Sequence, residues 1–157
     1  MIESHQQAIA FLLLLGFAVA GTISDVRNRR LPNWLCLATA VTGLGASLFL
    51  LEYGDPIWAF PAHGAASLIV GMALFALRWI GGGDAKFYAA VACWFPLRLA
   101  ALLLVTVTLS GVLLLILFFA IRRFRGLPIS RKDGASLPYG VAIGTGGLVA
   151  LAGYNCL

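Results

Sequence analysis

The chain has 157 residues, 61% of them hydrophobic and only 11% charged, with a net charge of +5 and a mean hydropathy of +0.96. A soluble domain is about 45–50% apolar and about 25% charged, and a chain this short has no soluble core large enough to hide the excess. A soluble enzyme, a disordered chain and a secreted disulfide scaffold are therefore excluded, and the expected solvent is a lipid bilayer. The basic residues sit between apolar runs, which reads as membrane topology rather than nucleic-acid binding. Cys36, Cys93 and Cys156 are scattered without a CxxC pair and read as small hydrophobes.

A membrane-crossing helix needs about 20 residues. The first apolar run, 7–24, is preceded by Glu3 and by no Lys or Arg, so it lacks the positive start of a signal peptide and reads as a helix. A polar stretch, Asp25 to Arg30, leads to a second helix over 32–51 with Pro32 at its start, where a missing N–H is harmless. A turn with Gly54, Pro56 and Pro61 precedes a third helix over 62–80. The run Gly81-Gly82-Gly83 is expected to break it. A fourth helix begins near Asp84 and runs to Pro96, a fifth covers 97–121, and a sixth covers 137–154 after a basic loop. The expected fold is all-α: a six-helix polytopic membrane protein forming one domain over 1–157.

Alternating sides support this count. Arg27, Arg29, Arg30, Arg78, Lys86, Arg122, Arg123, Arg125, Arg131 and Lys132 fall on one side, and only Arg98 falls on the other, with Glu3, Glu52 and Asp55. This bias places the loops after the first, third and fifth helices in the cytoplasm. Small residues at four-residue spacing, such as Thr39, Gly43 and Ser47, or Gly140 and Gly144, read as close helix packing. Trp34, Trp58, Trp79 and Trp94 read as an interfacial belt, and His63 as an interfacial polar residue.

Asp25 and Asp84 stand out. Each lies at the cytoplasmic end of an apolar helix, and ionisable groups at membrane depth are costly enough to read as functional. Residues 85–95 make a helix of about 16 Å, too short to cross about 30 Å of hydrocarbon. The fourth helix therefore either continues past Pro96 with a kink or starts below the membrane surface. The glycines before it would admit another backbone. Two carboxylates brought together in a low dielectric share one proton, so that one serves as base and the other as acid. Such a pair can activate water and polarise a peptide carbonyl, with Lys86 and the helix N-terminus favouring the anion at Asp84. No zinc-like spacing and no Walker loop accompany them. No metal or cofactor is expected.

Gly81-x-Gly83-Asp84-x-Lys86 resembles the GxGDxK motif of type IV prepilin peptidases, membrane aspartyl proteases of the GxGD class. Asp25 followed by Arg30-Leu31-Pro32-Asn33 is similar to the first motif of that family, with Leu31 in place of the usual Ile. Leu137-Pro138-Tyr139-Gly140-Val141-Ala142-Ile143-Gly144 resembles a segment of the short Tad/Flp-pilus branch. The resemblance implies an endopeptidase of the bacterial inner membrane that removes a short basic leader from prepilins or pseudopilins at the cytoplasmic face. Asp25 and Asp84 would be the catalytic pair, supported by Gly81, Gly83, Lys86, Arg30, Pro32 and Asn33. The paired-Cys region of longer, N-methylating members has no counterpart, so peptidase activity alone is expected. The rival readings are a small proton-coupled transporter and a non-catalytic pilus-assembly subunit.

Overall fold

A computed structural model describes residues 2–28, 31–51, 53–124 and 139–154. Arg30, one of the candidate site residues, lies outside the described residues. These form six α-helices, α1 (Ile2–Asn28), α2 (Asn33–Phe49), α3 (Ala59–Ala76), α4 (Gly82–Ala92), α5 (Ala100–Phe124) and α6 (Tyr139–Tyr154), with a 3₁₀ turn at Leu97–Leu99 before α5. No strand occurs among the described residues. The protein is an all-α membrane protein. Three of its helical segments, His5–Asp25, Ala59–Ala76 and Leu97–Phe124, are long and apolar enough to cross a bilayer, while α2 and α6 are shorter apolar helices.

The shortest helix occupies the centre. In α4, Ala85, Phe87 and Ala89 to Ala92 are buried, and the burial continues through Cys93, Trp94 and Phe95. A helix apolar on every side belongs inside, and α4 packs against α2, α3 and α6. It does not continue through Pro96 as a kinked helix. It stops at Ala92, and the chain turns with Trp94 N–H bonded to Val91 O and Phe95 N–H to Ala92 O. Eleven residues suffice because other helices surround it.

Small residues admit the large ones of α4. The Trp94 indole fills the space left by the missing side chain of Gly43, and its Nε1–H donates to Thr39 O at 3.0 Å. Trp94 is thus a fully buried core residue, unlike the exposed Trp34, Trp58 and Trp79. Its fourfold-spaced neighbours Thr39, Gly43 and Ser47 all lie on the buried face of α2. Gly144 does the same for α1, since a Cβ there would come within 2.8 Å of the Ala18 Cβ.

The break between α3 and α4 lies elsewhere than the glycine run suggests. α3 starts three residues earlier than expected, with Pro61 in its first turn, and ends at Ala76. The reversal is made at Arg78, whose φ is 61°. Gly81 has φ −74° and ψ 141° and caps α4, and Gly82 and Gly83 form its first turn. No residue from Gly81 to Gly83 has a positive φ. Their lack of side chains matters for space, not for backbone angle.

The ends of the helices segregate. Asp25 near the end of α1 meets Gly140 at the start of α6, and Lys86 at the start of α4 meets Asn33 at the start of α2. α5 runs antiparallel to α6, with Gly111 facing Ala142 and Val107 against Gly146. Arg27, Arg78, Lys86, Arg122 and Arg123 therefore gather at one end of the bundle. At the other, Arg98 pairs with Asp55 at 2.8 Å.

Candidate active site

Asp25 sits in the last turn of α1, half-buried. Its Oδ2 accepts a hydrogen bond from the Gly140 backbone N–H at 2.9 Å. Gly140 is the second residue of α6, and the first N–H groups of a helix have no partner within it. The Asp25 carboxylate supplies one from another helix, at the end where the helix dipole favours a negative group. A Cβ on residue 140 would stand 3.1 Å from that Oδ2 and 3.2 Å from the Asp25 Cβ. Only glycine lets backbone and carboxylate come so close without displacement.

Asp84 is the third residue of α4 and is also half-buried. Its carboxylate turns back to the backbone N–H of Gly81, the residue that caps the helix. This is the carboxylate half of a capping box, which satisfies another of the free N–H groups. A Cβ on Gly81 would lie 2.6 Å from Asp84 Oδ2. The two aspartates are near enough for the charge of Asp25 to act on Asp84.

The chain after Asp25 returns to brace α4. Leu31 is buried, with its Cβ 3.4 Å from where a Cβ on Gly83 would stand. Pro32 is the N-cap of α2, not its first residue, and its carbonyl accepts from Leu35 N–H at 3.1 Å. Asn33 Oδ1 accepts from Lys86 Nζ at 3.1 Å, on the exposed surface. Lys86 thus fastens α4 to α2, and the hydrogen bond it makes is to Asn33 and not to an aspartate. Among the described residues no three His, Cys, Asp or Glu side chains gather as a metal cage would need.

A cavity of about 680 Å³ leads away from Asp84, walled by α3 and α5 and floored by α4 and α6. His63 and Leu97 line it with Asp84. His63 is enclosed by the bundle rather than open to its surroundings. It is fully buried, with Nδ1 3.0 Å from Phe95 O.

Residues 12–125 match the type IV leader peptidase family. The chain belongs to that family. The matched region contains Asp25 and Asp84 but ends before α6, so the contact between Gly140 and Asp25 lies partly beyond it. Neither the comparison with curated proteins nor that with solved structures finds a match. Membership makes this leader peptidase homologue a membrane protease by descent. Gly140 is the site residue that spacing alone did not single out. Its signal was the Pro138-Tyr139-Gly140 segment, which carries no carboxylate, His or Cys to draw attention.

Proposed function

We propose that this chain is a membrane aspartyl endopeptidase that removes the short basic leader of prepilins or pseudopilins at the cytoplasmic face of the bacterial inner membrane. The observation that carries this is that Asp25 lies near enough for its charge to act on Asp84, each carboxylate being held by a backbone N–H at the basic end of the bundle. A water between the two carboxyl groups is deprotonated by the ionised member. The protonated member donates to the scissile carbonyl oxygen, which gains negative charge as the water attacks. The tetrahedral intermediate collapses as the carboxyl that took the water's proton passes it to the leaving amine, while the former carbonyl oxygen returns its proton to the other carboxylate. Oδ2 of Asp25 accepts from Gly140, so that oxygen is oriented away from a role as proton donor. The flanking Arg27 and Lys86 give the site a cytoplasmic address by the positive-inside rule.

The transporter reading needs polar groups continuing from the aspartates across the bundle. The cavity leaving Asp84 is walled mainly by Ala, Val and Leu, which favours the peptidase. Co-expression with a prepilin tests the reading: wild type should convert it to a faster-migrating form on a gel, and an unprocessed prepilin would contradict the assignment. Orientation is tested separately. In a chain with its native cysteines replaced, Ile57→Cys should label with an impermeant thiol reagent in spheroplasts, and Arg123→Cys should not. The reverse pattern would refute cleavage from the cytoplasm.

A further inference from the structure

A peptide bond cut at Asp84 has to be extended, and each peptide unit drawn out of a helix leaves its N–H and C=O without partners. Such groups are costly in an apolar surrounding. The cavity beside Asp84 offers few side chains to meet them. Thr108 already donates to Leu104 O at 2.7 Å, and His63 is taken up with Phe95 O and enclosed. Ser67 stands on the α3 wall. The two remaining hydroxyls, of Tyr88 and Tyr139, belong to the helices that build the site itself. Tyr88 follows Asp84 by four residues on α4, so it shares that face one turn further in, about 6 Å along the axis. Tyr139 opens α6 and directly precedes Gly140, the holder of Asp25. It is exposed, at the basic end of the cavity. Neither hydroxyl has a hydrogen-bond partner among the described residues, and the Tyr88 oxygen keeps contact with open space although its ring is half-buried. A tyrosine hydroxyl is a neutral donor that meets a peptide carbonyl without adding charge to an apolar cavity.

We propose that Tyr139 and Tyr88 are substrate-binding residues, whose hydroxyls donate to peptide carbonyls on the leader side and on the mature side of the scissile bond. This rests on the peptidase reading above. The basic leader comes from the cytoplasmic end, where Tyr139 stands, and the apolar part of the substrate lies deeper, where Tyr88 stands. An extended chain advances about 3.3 Å per residue, so the rise of about 6 Å from Asp84 to Tyr88 corresponds to about two residues. Tyr88 therefore meets the carbonyl of the second residue after the cut. The two donors bracket the bond and keep the released carbonyls paired, which holds the segment extended beside the carboxylates.

Hydroxyl deletion tests this in the full-length, membrane-embedded protein with a prepilin that wild type cleaves. Tyr88→Phe and Tyr139→Phe should each lower kcat/KM by about three- to tenfold, the worth of one hydrogen bond. Unfolding in detergent should be unchanged in both, because neither hydroxyl bonds to a described residue. Thr108→Val, which removes a hydroxyl already bonded to its own helix, should keep the wild-type kcat/KM. The contact itself is read with a semisynthetic prepilin in which the amide joining the second and third residues after the cut is replaced by an ester, a weaker acceptor. The ester should slow wild type several-fold more than it slows Tyr88→Phe, since in the variant the interaction it weakens is already gone. Equal slowing of both proteins by the ester, a wild-type rate in either Phe variant, an equal loss in Thr108→Val, or a loss of stability that accounts for the loss of rate would each overturn the proposal and leave the peptidase reading standing. Failure of wild type to cleave any prepilin would overturn both.

Discussion

The backbone N–H of Gly140 donates to Asp25 Oδ2 at 2.9 Å, tying the start of α6 to the end of α1 across 115 residues of sequence. One of two electrostatically coupled carboxylates is thereby fixed by a group that cannot titrate or change rotamer. The other, Asp84, is oriented by the backbone of its own helix cap. Both holders are glycines, and in both cases the absent Cβ would otherwise stand against the carboxylate.

Gly140→Ala should therefore impair cleavage without impairing insertion. Its new Cβ would lie 3.1 Å from Asp25 Oδ2 and 3.2 Å from Asp25 Cβ, so the carboxylate must shift. Since a displacement of about 1 Å can cost on the order of 10²-fold in rate, a shift of a few tenths of an ångström should cause a smaller but measurable loss. Processing rates normalised to inserted protein provide the check. Gly45→Ala, where a Cβ meets nothing within 4 Å, is the control and should keep its activity.

The three glycines before Asp84 should differ. At Gly81 the new Cβ meets Asp84 Oδ2 at 2.6 Å, at Gly82 the Phe75 ring at 3.3 Å, and at Gly83 the Leu31 Cβ at an ordinary 3.4 Å. Gly81→Ala should thus lose the most activity of the three alanine variants. Gly83→Val should lose more than Gly83→Ala, because its added methyl groups press on Leu31. Normalised processing rates in that order would support the assignment. Equal rates across the series would mean that the loop is only a connection.

The core supplies a stability test. Gly43→Ala places a methyl group against the Trp94 indole, and overpacking of this kind typically costs about 1–3 kcal/mol. Trp94→Phe removes the second donor to Thr39 O, which keeps its partner within the helix, and should cost about 1 kcal/mol for the net loss of that hydrogen bond. Unfolding in detergent measures both. A Gly43→Ala protein as stable as wild type would contradict the packing of α4 on α2.

Much of this arrangement was legible in the sequence because bilayer physics is coarse. Apolar runs marked the helices, and the segregation of Arg and Lys anticipated that Arg27, Lys86 and Arg122 share one end while Arg98 joins Asp55 at the other. The shortness of the fourth helix was legible too. Its central burial was not, since Trp94 reads identically whether it lies at a lipid interface or in a glycine-lined socket on a neighbouring helix. The break before α4 was misplaced for a related reason. Glycines suggest a turn, but the positive φ falls on Arg78, and the glycines instead make room for carboxylates. Contacts such as that of Asp25 with Gly140, or Lys86 with Asn33, depend on how helices are brought together, which no local pattern encodes.

The central claim is that Asp25 and Asp84 act as one proton-sharing pair on a prepilin. The most direct measurement is the rate of leader removal from a co-expressed prepilin by Asp25→Asn, Asp84→Asn and the double variant, each normalised to inserted protein. An amide can neither take a proton from water as a base nor donate one as an acid, so each single variant should abolish processing, and the double variant should be no worse than either. Near-normal cleavage by either single variant would contradict the account.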